Sequence, residues 1–211
     1  MTISSRGFQV IVCSYVSVLI SALFTSLRLF VRWRLVKITG KEDACIFFAW
    51  IAALVCAITM HLDVTMGGLG QRVNTLTPAH ITTYFKMAYV SILSYNTSLC
   101  LTKFAILLFC LRLFAPSSWR KVYFAVLAFI SIYTIWVVAT SIVPCVPVGR
   151  YWNKSVQGGC LPNGVLWFLN AGLNIFSDFI VVLLPIPSIL SLQLPKKQKI
   201  GVSLIFALGL L

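Results

Sequence analysis

Negative charge is nearly absent from this chain: Glu42, Asp43, Asp63 and Asp178 are its four acidic residues, against 17 lysines and arginines. Charged residues of all kinds fill 10% of the 211 positions and hydrophobic ones 60%, with a mean hydropathy of +0.97. Such a composition cannot supply the polar shell of a water-soluble domain. Histidine is scarce too: His61 and His80 are far apart in sequence, and neither they nor the 7 cysteines form a Cys-x-x-Cys or Cys/His spacing, so no metal site is expected. Nothing resembles Ser/His/Asp or Cys/His machinery, which argues against an enzyme. Long polar linkers, low-complexity tracts and convincing internal repeats are also missing.

What the chain does have is long apolar runs. A bilayer-spanning helix needs roughly 20 mostly apolar residues, and such stretches lie at about 8–31, 44–62, 87–111, 122–143 and 164–192. A sixth begins after Lys199 and stops at Leu211. About a dozen residues cannot cross ~30 Å of hydrocarbon at ~1.5 Å per residue, so the C-terminus reads as cut short. The expected fold is an all-α polytopic transmembrane helix bundle with five full spans and part of a sixth.

Orientation follows from the basic residues. A net charge of +13 would point to nucleic acid if it lay on one soluble face. Instead it alternates between loops: Arg28, Arg32, Arg34, Lys37 and Lys41 in the first, Arg112, Arg120 and Lys121 in the third, Lys196, Lys197 and Lys199 in the fifth. Intervening loops are poorer in basic residues, so the odd loops are cytoplasmic by the positive-inside rule and the N-terminus is outside. The first span is too long for a signal-peptide h-region and is followed by basic residues that stop transfer. These loops set topology and meet anionic lipid, with a docking surface for a cytoplasmic partner as the alternative. No nucleic-acid partner is expected.

The segment at about 144–163 agrees with that orientation, since it holds Cys145, Cys160 and the acceptor sequon Asn153-Lys154-Ser155, features that belong to the secretory lumen. A Cys145–Cys160 bridge closes a loop of about 16 residues, worth ~3 kcal/mol in the chain-entropy account. Cys13, Cys45, Cys56, Cys100 and Cys110 fall in or beside spans as small packing residues. Asn96-Thr97-Ser98 lies mid-span, where glycosylation cannot reach it. Gly67, Gly68 and Gly70 after Asp63 read as a tight outer turn, not a phosphate cradle.

Two charges remain inside the spans. Counted from the outer helix ends near Met87 and Gly164, Lys103 and Asp178 lie ~24 and ~21 Å deep. An isolated central charge costs ~2.5–3.5 kcal/mol even on the lenient insertion scale, so the matched depths predict that Lys103 and Asp178 pair between the third and fifth helices. Asn174 lies one turn above Asp178 on the same face. The pair can serve as an inter-helix clamp, as the polar floor of a ligand cavity or switch, or as a proton relay. Trp119, Trp152 and Trp167 fall near interfaces, and Pro185 and Pro187 bend or end the fifth helix.

These residues resemble the fungal rhodopsin-domain family, seven-helix integral membrane proteins that include the Pth-type receptor-like proteins of filamentous fungi. The resemblance runs over nearly the whole chain, 1–211. It is carried by Arg28-x-x-x-Arg32 with Gly40-Lys41-Glu42-Asp43, by Asp63-x-x-x-Gly67-Gly68-Leu69-Gly70, and by the run from Leu101-Thr102-Lys103 to Arg112-Leu113-Phe114. It continues in Cys145-x-Pro147 with Trp152 and Cys160, Asn174-x-x-x-Asp178, Leu184-Pro185-x-Pro187 and Leu194-Pro195-Lys196-Lys197-Gln198-Lys199. Glu42-Asp43 matches the family's usual acidic pair, whereas Gln71 stands where a His is usual. The resemblance implies a seven-helix bundle with its N-terminus outside, of which most of the sixth helix and all of the seventh are missing here.

A retinal Schiff base needs a desolvated lysine, which in light-driven rhodopsins sits in the last helix; Lys103 is in the third, so no retinal is expected. The favoured function is receptor-like: an unknown small external ligand, signalling through basic inner loops to an effector such as a G protein, at the plasma membrane. The alternative is a transport or accessory membrane protein linked to secondary metabolism, using the charge pair as a gate; a membrane enzyme is disfavoured.

Overall fold

The computed structural model describes residues 4–37, 40–72, 76–114 and 119–187. Lys196, Lys197 and Lys199 lie outside the described residues. Five long helices follow one another: α1 (Ser5–Phe30), α2 (Lys41–Leu62), α3 (Pro78–Phe114), α4 (Arg120–Ile142) and α5 (Asn163–Leu183). With their flanking turns, all five are long and apolar enough to span a membrane, as Ser5–Arg34, Lys41–Gly67, Pro78–Arg112, Arg120–Ile142 and Gly164–Pro187. The chain is an all-α polytopic bundle.

The pattern of exposure is that of a protein solvated by lipid. Trp33, Ile132, Ile135 and Phe168 are each 69–72% exposed, while Lys103, Glu42 and Asp43 are 3–5% exposed. Apolar side chains face out because hydrocarbon is their solvent, and charges face in because it is not theirs. Leu107, Cys110, Tyr123, Ile130, Val181 and Leu184 form one buried apolar cluster across α3, α4 and α5.

Polar bonds tie α3 to its neighbours, as expected where apolar burial cannot drive helix association. The Ser98 hydroxyl donates to the Ala49 carbonyl of α2 at 2.9 Å, and Asn96 Nδ2 donates to Ser141 Oγ of α4 at 3.1 Å. Trp50 Nε1 of α2 donates to the Val18 carbonyl of α1 at 3.5 Å.

Helix boundaries differ from the hydropathy reading in two informative places. At its outer end α3 starts at Pro78, more than two turns before Met87. The polar residues that hide this start satisfy their own hydroxyls on the helix: Thr82 and Thr83 donate back to the carbonyls of Pro78 and Ala79, at 3.1 Å each. A proline suits the first helical position, where its missing N–H costs nothing. At the inner end, Arg28 belongs to α1 and Arg32 to the π-helical turn Val31–Val36 that continues it. Glu42 and Asp43 open α2 instead of lying in a loop, because the Asp43 carboxylate accepts the Gly40 N–H at 3.1 Å and so caps the helix.

Candidate functional site

At mid-span, Lys103 of α3 meets Asn174, Ser177 and Asp178 of α5. Its ammonium donates to Asn174 Oδ1 at 2.7 Å, to the Asn174 carbonyl at 3.0 Å and to Ser177 Oγ, and lies 3.2 Å from Asp178 Oδ1. Residues 174, 177 and 178 share one helix face because their spacings are three and four. Asn174 also donates from Nδ2 to Asp178 Oδ2 at 3.4 Å, and the ammonium sits 5.5 Å from the Tyr133 ring centroid of α4. Ser177 and Tyr133 were not singled out from the sequence; Ser177 is one helical turn beyond Asn174, and that spacing is the signal that could have found it.

Asn174 belongs to a second feature as well. A cavity of about 530 Å³ lies between α3, α4 and α5, and Asn174 is among its lining residues. That volume is within the ~300–1,000 Å³ usual for small-molecule sites. Around it stand Tyr95 and Asn96 of α3, Tyr133 of α4, and Trp167 and Asn170 of α5.

The segment after α4 contributes Pro144 and Tyr151 to the same cavity. Two short strands, β1 (Cys145–Val146) and β2 (Gly159–Cys160), pair antiparallel with Cys145 opposite Cys160, and those two residues form a disulfide. Between them, Tyr151 packs edge-on against Phe85 and its ring lies 5.9 Å from Tyr89; Phe85 is on the early turns of α3 that hydropathy misses. Burial and the neighbouring Tyr84 push the Tyr151 phenol up, so it stays neutral. Asn153 is exposed in this segment.

Charges gather again at the inner end. Glu42 Oε1 accepts from Arg32 Nη1 at 2.7 Å and from Arg112 Nη1 at 2.9 Å. Arg32 also reaches both Asp43 oxygens, at 2.9 and 3.0 Å, and Arg28 Nε lies 3.7 Å from Asp43 Oδ1. The Arg28 guanidinium stacks 4.7 Å from the Phe109 ring. These groups, expected as separate loop charges, form one network joining α1, α2 and α3.

The outer turn has its own lock. Asp63 is 5% exposed, and its Oδ1 has no hydrogen-bond partner among the described residues. A Cβ on Gly67 would fall 2.0 Å from that oxygen, so glycine there is what admits the carboxyl. Gly68 and Gly70 adopt φ of 78° and 89°, and Gly70 lies against the backbone of Gly7 in α1. Asp63, Gly68 and Gly70 therefore form a compact turn on the first helix, apart from the cavity.

Five long apolar helices, a disulfide-bonded segment between the last two and a mid-span lysine held inside define a multi-pass helical membrane protein. The fungal rhodopsin domain matches residues 27–211, and the chain belongs to that family. It is similar to a SAT4 family membrane protein of Emericella nidulans, 29% identical over 146 residues, a match covering 68% of this chain and 38% of the relative. The chain thus spans well under half the length of that relative. No solved structure matches the chain.

Proposed function

We propose that the protein is a receptor-like sensor of the plasma membrane that takes a small external ligand between α3, α4 and α5 and reports to a cytoplasmic effector such as a G protein. One observation carries this reading: Asn174 lines the cavity and also holds Lys103, and the helix bearing Lys103 ends in Arg112 bound to Glu42. A ligand that engages Asn174 acts on α3 directly. Membrane lipid is the other partner, at the basic inner rim. Lys103 is read as an ion-pair partner, not a Schiff-base lysine, because its amine is already committed to α5. No retinal and no catalytic role are assigned.

The test is basal nucleotide exchange by a heterotrimeric G protein on vesicles carrying the full chain. Glu42→Gln weakens the hold on Arg112, and a shift of ~1 kcal/mol in the resting equilibrium corresponds to about fivefold, so exchange should rise by that order. Exchange indifferent both to the protein and to Glu42→Gln, with substrate flux across the same vesicles, overturns the receptor reading in favour of transport.

A further inference from the structure

The chemistry of the α3–α4–α5 cavity selects its ligand. We infer that it takes an uncharged molecule with an aromatic body and hydrogen-bonding groups, a class that excludes organic anions and cations. The inference rests on the sensor reading above for its biological sense, but not for its measurement.

Charge is the first argument. Among the described residues, none that lines the cavity is acidic, basic or a histidine. Lys103, bonded to the lining residue Asn174, is 3% exposed, and its three ammonium hydrogens face four acceptors: Asn174 O, Asn174 Oδ1, Ser177 Oγ and Asp178 Oδ1. Asp178 is in turn committed to Lys103 and to Asn174 Nδ2. A charged ligand would therefore find no counter-charge among those lining residues, and the desolvation cost of entering without one disfavours it.

Shape and polarity are the second. Tyr89, Tyr95, Tyr133, Tyr151 and Trp167 supply rings around the space, suited to stacking or edge contact with an aromatic ligand. Asn96 and Asn170 add amides that are only partly used. Asn96 donates to Ser141, which leaves its Oδ1 as an acceptor. Asn170 Oδ1 accepts from Trp136 Nε1, which leaves its amide hydrogens as donors. The site thus offers one acceptor and one donor on opposing helices α3 and α5, as a ligand bearing both a hydroxyl and a carbonyl would require. Tyr95, whose side chain makes no hydrogen bond among the described residues, adds a hydroxyl that can do either.

The experiment compares two probes with one ring system, neutral N-phenylnaphthylamine and its sulfonate, anilinonaphthalenesulfonate. Each is titrated into nanodiscs carrying the full chain and into empty nanodiscs, and the saturable, protein-dependent fluorescence is read. Expected is saturable binding of the neutral probe at least tenfold tighter than the sulfonate. The probe's single N–H can donate to the Tyr95 hydroxyl oxygen, so the neutral probe should weaken roughly three- to tenfold with Tyr95→Phe, the loss of one hydrogen bond. The variant must keep the wild-type melting temperature to count. Equal affinity for the two probes, no saturable binding of the neutral one, or indifference to Tyr95→Phe overturns the inference. Neutral-selective binding with no effect of Glu42→Gln on nucleotide exchange would sink the sensor reading alone.

Discussion

Lys103 and Asp178 are paired but not equivalent. Lys103 is 4% exposed at its side chain and Asp178 51%; removing the lysine leaves Asn174, Ser177 and Asp178 without their shared donor, whereas Asp178→Asn leaves the ammonium its bonds to Asn174 and Ser177. Lys103→Met should therefore cost about 2–4 kcal/mol and Asp178→Asn about 1 kcal/mol. Melting temperatures in detergent would show this as a clearly larger fall for the lysine variant; equal falls would mean that the charge itself, not the buried network, holds the helices. The pairing of 103 with 178 was legible from matched depth along two helices crossing the same faces. Ser177 and Tyr133 were not, because a hydroxyl amid apolar residues reads as ordinary helix content until its neighbours are known. At the inner rim, Asp43 caps α2 and binds Arg32. Replacing it with alanine should cost about 2 kcal/mol, and asparagine, which keeps an oxygen for Gly40, should recover roughly half by the same melting measurement.

At the scale of elements, the outer turn depends on backbone freedom. Gly70 has φ of 89° and its missing Cβ would lie 2.9 Å from the backbone nitrogen of Gly7, so neither the conformation nor the space suits a side chain. Gly70→Ala should destabilise by about 1–3 kcal/mol, more than Gly149→Ala, where nothing lies within 4 Å; a smaller loss at Gly70 would refute the close packing of this turn on α1. The turn was visible in the sequence as a glycine cluster, but not its contact with Gly7, which lies across the fold. The same limit explains α3. Hydropathy starts the helix at the first sustained apolar residue, while the chain starts it at Pro78, whose fixed φ suits a first turn, and the hydroxyls of Thr82 and Thr83 that lower the hydropathy are satisfied on the helix itself. Opening the disulfide should free the segment that carries Tyr151; Cys145→Ser with Cys160→Ser is expected to cost ~3 kcal/mol, seen as a lower melting temperature that reductant no longer changes.

For the molecule as a whole, the fold class could be read from hydropathy because a bilayer imposes it, and the charge pattern assigns an orientation by the positive-inside rule. The cavity could not, since it exists only where three helices stand beside one another. Orientation makes a direct prediction at Asn153, which is exposed near the disulfide. Protein made in a eukaryotic secretory system should lose mass on treatment with peptide N-glycosidase, and Asn153→Gln should abolish that shift while leaving Asn96 unmodified. Absence of the shift in the wild-type chain, with the protein in the membrane, would count against an external position for this segment.

Between Pro78 and Phe114, α3 contains neither a glycine nor a second proline. Sharp kinks in long helices arise most often at such residues, and this helix has neither between the cavity at Asn96 and the ion network at Arg112, ~24 Å apart at helical rise. It therefore behaves as a stiff shaft: a push on one end arrives at the other as a slide or a twist of the whole rod, and a spin label at each end would move in concert.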